Sequence, residues 1–289
     1  MEIVQLLLSG LAVGGIYALI AVGFVTIYNV NGVINFAQGE FVMVGGVTAA
    51  AMVSGGAPLW VAAIVAVIVA TVVGALVQRL ALQPARFNSE VVLIIITIGV
   101  STVLRGLALM IFGSSPKVLP PFLAGEPVSF LNATIPRQDF FVIGITVITM
   151  LALYIFFEKT MLGSALRASM MNREVSRLMG ISPKLMGLLS FMLGACLAGI
   201  VGIAVTPISL ATYDMGLMIG LKGFVAAVLG GLISIPGAVV GGIILGVLES
   251  LGAGLISSGY KDAIAFFILL IVLVFMPQGL IKTKSGKRV

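Results

Sequence analysis

No Lys or Arg precedes Arg79, and between Glu2 and that arginine the one charged residue is Glu40. A chain that begins with two apolar runs of this length, 3–39 and 41–78, cannot cover a folded surface with side chains that prefer water. More charge-free runs follow at 91–104, 140–157, 185–213, 223–248 and 263–281, the first of them continuing past Arg105. A membrane-crossing helix needs ~20 mostly apolar residues. The strict apolar–polar alternation of a membrane β-barrel is absent. Only 9% of the chain is charged, where a soluble domain carries about 25%. The fold class that follows is an all-α polytopic membrane protein, with about eight membrane segments of the required ~20 apolar residues, some of them broken or re-entrant. The 36 glycines suit close helix–helix approach. Residues 1–289 read as a single transmembrane domain, and the start, MEIVQLLL, lacks the basic region of a signal peptide and reads as part of the first span.

The same composition removes several function classes. The chain has no His, so the commonest proton relay, metal ligand and pH switch is missing. Cys196 stands alone in an apolar run, leaving neither disulfide nor metal cluster. No G-x-x-x-x-G-K-[ST] loop is present to cradle phosphates. No catalytic constellation and no cofactor site can be assembled. The net charge of +6 lies in loops beside the apolar runs, which points to a membrane surface and not to nucleic acid.

Basic residues mark the cytoplasmic side of a membrane protein. Three clusters stand out: Arg79 with Arg86, the polar stretch 158–184 with Lys159, Arg167, Arg173, Arg177 and Lys184, and the tail with Lys282, Lys284, Lys287 and Arg288. Placing all three inside makes 113–138, rich in Pro, an outer loop and puts the N-terminus outside. Parity then requires 221–251 to enter and leave on the same side. Ser234-Ile235-Pro236-Gly237 interrupts that stretch, and Pro and Gly break helices. Two readings are open: a hairpin of half-helices lining a pathway, or one kinked span. A second interruption is the polar knot NVNGVINFAQGE at 29–40. It lies at an interface or lines a polar cavity, because unpartnered polar groups are costly in lipid. Glu40 reads as the one ionisable group well inside an apolar stretch. It is a functional group by default, or else a carboxylate held by backbone amides at the start of the next helix, where it suits the dipole. Paired interrupted segments in the two halves of a transporter point to its substrate pathway.

Within 158–184, Asn172 can cap a short helix, Arg173 to Met179, that Gly180 ends. Val175, Leu178 and Met179 share a face at i, i+3, i+4 spacing, and Met171 extends it. Arg173, Glu174 and Arg177 form the other face, with Glu174 and Arg177 spaced to pair. Ser182 and Pro183 read as N-cap and first residue of the next span. Such a helix can lie on lipid, pack on its own bundle, or dock a partner.

The segment LGSALRASMMNREVSRLMGI resembles the coupling loop of ABC-importer permeases, with Glu174-Val175-Ser176 in place of the usual Glu-Ala-Ala. GGIYALIAVGFVTIYNVNGVINFAQGEFVMVGG, TIGVSTVLRGLALMIFGSSPKVLP, LKGFVAAVLGGLISIPGAVVGGIILGVLES and DAIAFFILLIVLVFMPQGL are similar, nearly end to end, to permease subunits of branched-chain amino acid ABC importers, the LivH type. Gln38 stands where that family often has His, and Arg105 where a neutral polar residue is more usual.

The resemblance implies a bacterial inner-membrane importer. It would be built from this chain, a second homologous permease, two ATP-binding-cassette ATPases and a soluble substrate-binding protein that delivers a leucine-, isoleucine- or valine-like amino acid. It implies ATPase coupling through Met171, Arg173, Glu174, Val175, Arg177, Leu178, Met179 and Gly180. Pathway candidates for an apolar amino acid are Asn35, Gln38 and Glu40 in the knot, with Thr97 and Ser101 on the helix after Val91. The last two can equally serve as interhelical hydrogen-bonding groups. Arg105 reads as snorkelling toward the outer face or as facing a substrate carboxylate. Alternatives to the substrate and class are urea or short amides in the same importer type, and an autonomous secondary transporter.

Overall fold

The computed structural model describes residues 2–85, 89–130, 133–276 and 279–281. Arg86 and the basic tail with Lys282, Lys284, Lys287 and Arg288 lie outside the described residues, as does the side chain of Arg173. The helices are α1 (Glu2–Asn31), α2 (Gln38–Ser54), α3 (Leu59–Val77, continued by a π-helical turn, Gln78–Leu82), α4 (Glu90–Phe112), α5 (Arg137–Lys159), α6 (Met161–Met171), α7 (Arg173–Leu178), α8 (Pro183–Ser209), α9 (Met215–Gly230), α10 (Ile235–Leu255) and α11 (Lys261–Phe275). A two-stranded hairpin, β1 (Val128–Phe130) and β2 (Ala133–Ile135), sits in the long loop before α5. Among the described residues seven helices are long and apolar enough to cross a membrane, and α9 is a shorter apolar helix. The chain is an all-α polytopic membrane protein.

Polar contacts fix which helix ends lie together. At one end Ser9 donates to Asp139 at 3.0 Å and Ser250 to the Leu6 carbonyl at 2.7 Å. At the other, Asn31 Nδ2 donates to Ser190 Oγ at 2.8 Å and Asn29 Nδ2 to the Ile233 carbonyl at 2.9 Å. The second end carries α6 and α7 and is called the loop end. Helices α1 and α5 run toward it, α8 and α10 away from it.

The packing has an internal exchange. Helix α1 lies along α10 and α9, while α8 lies along α3 and α2. Swapping α1, α2, α3 for α8, α9, α10 reproduces the partners with the direction reversed. Each half is a long helix, a short helix, a long helix and a peripheral one, α4 or α11. The core is where the halves meet, with Leu19, Ile20, Phe41, Phe191 and Leu245 fully buried.

Glycine makes the central contact possible. A Cβ built on Gly220 of α9 would sit 2.7 Å from Gly39 Cα in the first turn of α2, and one on Gly45 would sit 2.8 Å from Gly199 Cα of α8. Backbones touch directly where a side chain would force them apart. On the opposite face of α3, Trp60, Ile64, Ile68, Val72, Leu76 and Leu80 are exposed at four-residue spacing, the stripe a helix presents to lipid.

The interrupted stretch 221–251 resolves into two antiparallel helices. Helix α9 stops at Gly230, Gly231 adopts φ +91°, and the Ser234 hydroxyl caps α10 by accepting from Gly237 N at 3.1 Å. The hairpin reading is the observed one in connectivity, with a difference in length. Only α9 is short; α10 runs on to Leu255, far enough to span. Pro236 falls in the first turn of α10, where its missing N–H costs nothing, so it starts this helix instead of kinking it.

Candidate functional site

The knot that follows α1 folds back so that α2 begins inside the bundle. The Asn35 side chain accepts from Ala37 N at 3.1 Å, a local turn that aims the chain into α2. Gln38 Nε2 donates to the Gly194 carbonyl of α8 at 2.9 Å. Thr97 of α4 accepts from Phe36 N at 3.2 Å and donates to the Ile94 carbonyl at 2.8 Å. Asn35, Gln38 and Thr97 are therefore tied into the packing that holds the knot.

Glu40 sits in the first turn of α2, 1% exposed. Its Oε1 accepts from Ser101 Oγ at 2.8 Å and from Arg105 Nη2 at 2.8 Å, and Oε2 has no partner. The carboxylate is held by two side chains of α4, not by backbone amides. Arg105 does not snorkel toward a membrane surface; it turns inward to Glu40, with 28% of its side chain exposed. A buried carboxylate draws the guanidinium more strongly than a distant interface does. Thr97, Ser101 and Arg105 recur every four residues, so one stripe of α4 faces α2. That spacing is visible in the sequence and signals the pair, although it does not name Glu40 as the partner.

Beside this pair lies a cavity of about 260 Å³ between α1, α2, α4 and α9. Arg105, Ser101 and Thr102 line one wall, Gly39, Gly216 and Gly220 another, and Phe24, Phe36 and Phe224 a third. The Phe224 ring centroid is 5.8 Å from that of Phe24 and 5.8 Å from that of Phe36. Of the sequence candidates, Ser101 reaches the wall and Glu40 stands directly behind it.

A second buried charge cluster corrects the expectation that Glu40 is the one ionisable group inside the apolar segments. Lys222 of α9 donates to Glu249 Oε1 of α10 at 2.9 Å and lies 2.6 Å from Asp262 of α11. The Tyr17 hydroxyl of α1 is within 3.1 Å of both Glu249 oxygens, and Lys261 lies at 3.4 Å from Oε1. Glu249 is 0% exposed. Lys222 and Glu249 flank a long apolar run, and each alone reads as a residue at a span's edge. Their burial comes from α9 being short and α10 passing beside it.

At the loop end, Asn172 caps α7 as its sequence predicts, accepting from Glu174 N at 3.0 Å and Val175 N at 3.1 Å. Gly180 takes φ +82° after the helix ends, and Ser182 and Pro183 start α8. Met171 and Leu178 are 87% exposed, and Val175 and Met179 are exposed beside them, so the apolar stripe is bare. Glu174 and Arg177 form no ion pair with each other among the described residues; Arg167 pairs instead with Glu158. On a helix of six residues in water, such a pair gains little over solvation.

The family described as branched-chain amino acid transport system / permease component matches residues 6–273. The chain is 35% identical over 299 residues to the high-affinity branched-chain amino acid transport system permease protein LivH of Salmonella typhimurium, covering 99% of this chain and 97% of that one. Identity and coverage are the same for the corresponding permease protein BraD of Pseudomonas aeruginosa. Its fold is similar to that of a chain in PsaBC from Streptococcus pneumoniae in complex with Fab, with TM-score 0.53, 17% identity, and coverage of 96% of this chain and 93% of that chain. Matched almost from end to end, with its spans, short helices and loop helix accounted for, the chain belongs to the family of branched-chain amino acid transport system permease components.

Proposed function

We propose that this chain is the membrane-spanning permease subunit of an ATP-binding-cassette importer that moves leucine-, isoleucine- or valine-like amino acids across a bacterial inner membrane. The observation that carries this reading is the 35% identity over 99% of the chain to a permease protein of such a transport system. The chain acts as one transmembrane domain and hydrolyses no nucleotide itself. Two ATPase subunits supply the energy, a second homologous permease completes the pathway, and a soluble binding protein delivers substrate at the end opposite the loop. The loop end is cytoplasmic, which agrees with its basic residues.

The bare stripe of Met171, Val175, Leu178 and Met179 supports ATPase docking on α7, with Glu174 and Arg177 on its polar side and Gly180 closing it; Arg173 joins this set by its place in the sequence. An apolar stripe on a capped helix is the pattern that fills a groove in a partner. For the substrate, Ser101 and Glu40 border the pathway. Asn35, Gln38 and Thr97 keep the short helix α2 in place beside it.

The test is purification from the native membrane followed by reconstitution. A second permease and two ATPases are expected to accompany the chain, and labelled leucine uptake should require both ATP and the binding protein. Uptake by this chain alone on an ion gradient would make it a secondary transporter. Uptake of urea or a short amide in place of leucine would change the substrate class. Cysteines placed at Ser257 and Lys284 should be labelled from outside and inside respectively.

A further inference from the structure

We infer that the cavity between α2, α4 and α9 is a binding site for a single zwitterionic amino acid, with Arg105 as partner of its carboxylate and the free Glu40 oxygen as partner of its ammonium. The inference rests on the functional reading above and gives it a location and a chemistry.

Both charged groups have capacity to spare. Glu40 is 1% exposed, and Oε1 takes both of its hydrogen bonds while Oε2 has none. A buried carboxylate oxygen without a donor is costly to leave that way. It lies against the cavity wall: a Cβ built on Gly216 would come within 3.1 Å of Oε2. Residue 216 is a glycine of the cavity wall and places no side chain of its own against that oxygen, which stands directly behind the wall. Arg105 spends Nη2 on Glu40 and, at 3.3 Å, on Ser101. Its Nε has no partner, and a guanidinium has five N–H donors arranged to grip a carboxylate.

A free amino acid carries its two opposite charges at one end and its side chain at the other, and the cavity has the same polarity. Phe24, Phe36 and Phe224 give the lining an apolar, uncharged part beside Arg105 and Ser101. Glu40 and Arg105 neutralise each other at 2.8 Å. A zwitterion can join them without leaving a net charge, whereas a lysine or glutamate ligand brings one that the site cannot balance. The volume of about 260 Å³ falls just below the usual range of small-molecule pockets, roughly 300–1,000 Å³, which fits one amino acid and not a peptide. The ligand also competes with an existing ion pair, and this keeps it loosely held, as passage through a pathway requires.

The test uses the assembled importer in lipid nanodiscs without its binding protein, so that selection reports the permease. The probe is leucine with a diazirine on its side chain. After illumination, adducts are expected on Phe24, Phe36 or Phe224, removed by excess leucine and retained in excess lysine. Arg105→Gln should lower the leucine-competed yield on the order of tenfold, as loss of a charge-assisted contact does. An importer that transports leucine but takes adducts only in other segments overturns the site and leaves the functional reading intact. Equal competition by lysine overturns the selection of zwitterions, and an unchanged yield in Arg105→Gln overturns the role of the guanidinium. An importer that carries another solute and not leucine overturns the functional reading as well.

Discussion

The short helices α2 and α9 occupy equivalent places in the two halves, and each brings one charge into the bundle, but in different company. Lys222 on α9 pairs with Glu249 and Asp262, and Glu249 also takes Tyr17 and Lys261, so α1, α9, α10 and α11 meet at one carboxylate. Glu40 on α2 meets two residues of a single helix, and its cation remains partly exposed beside a cavity. Both links tie a short helix to the peripheral helix of its own half, α9 to α11 and α2 to α4. The cluster gathered on the fully buried Glu249, with Asp262 and Lys261 at its half-exposed margin, has the connections of an anchor. The other has unused hydrogen-bonding capacity, and its Arg105 lines a cavity. If the cavity takes the substrate as proposed, equivalent positions in a repeated architecture divide the work, one half holding position and the other meeting the substrate.

The most damaging way to test this division is Glu249→Leu. It removes the buried partner of Lys222, leaving the half-exposed Asp262 as its remaining carboxylate, and leaves the Tyr17 hydroxyl without its acceptor; breaking a buried pair costs about 3–5 kcal/mol. Thermal unfolding in detergent should show a large drop in Tm, and adding Lys222→Met should recover a substantial part of it. An unchanged Tm would mean that the cluster anchors nothing.

Next in size is Gly220→Ala. Its new methyl group meets the Gly39 backbone, and overpacking of this kind costs typically 1–3 kcal/mol. The same melting measurement checks it, and tolerance of the methyl would show that the two short helices can separate. Glu40→Gln should cost less, about 1–2 kcal/mol, because Ser101 keeps an acceptor and Arg105 can turn toward water. Leucine uptake should fall well beyond what this loss of stability explains. If Glu40→Gln melts as low as Glu249→Leu, the contrast between anchor and working pair disappears.

The smallest structural effect belongs to Leu178→Asp. At 87% exposure its cost to the isolated chain should stay within about 0.5 kcal/mol, while the ATPases should no longer co-purify. Retention of the ATPases would remove α7 from the docking surface.

Features set by neighbouring residues could be read from the chain alone. The long spans follow from apolar runs, and α7 from Asn172, Gly180 and the Ser182–Pro183 start, whose signals lie within a few positions of what they control. The pairings could not be read in this way. Glu40 and Arg105 are 65 positions apart, and Tyr17 and Glu249 are 232 apart. Each of these is an ordinary residue near the edge or middle of an apolar stretch until the fold brings it to its partner. The unequal lengths of α9 and α10 were hidden for a related reason. Ser234, Ile235, Pro236 and Gly237 mark a break clearly, but how far each arm continues depends on what it packs against.

Where Gly39, Gly216 and Gly220 meet, main chain of α2 packs directly on main chain of α9. A contact made of side chains has slack, since rotamers can shift and absorb a push. Main chain against main chain has almost none, and close-packed interiors transmit such strain instead of damping it. The two short helices are therefore geared together. A tilt of one presses on the other with little loss, and a substitution that pads this contact loosens the coupling between the two halves.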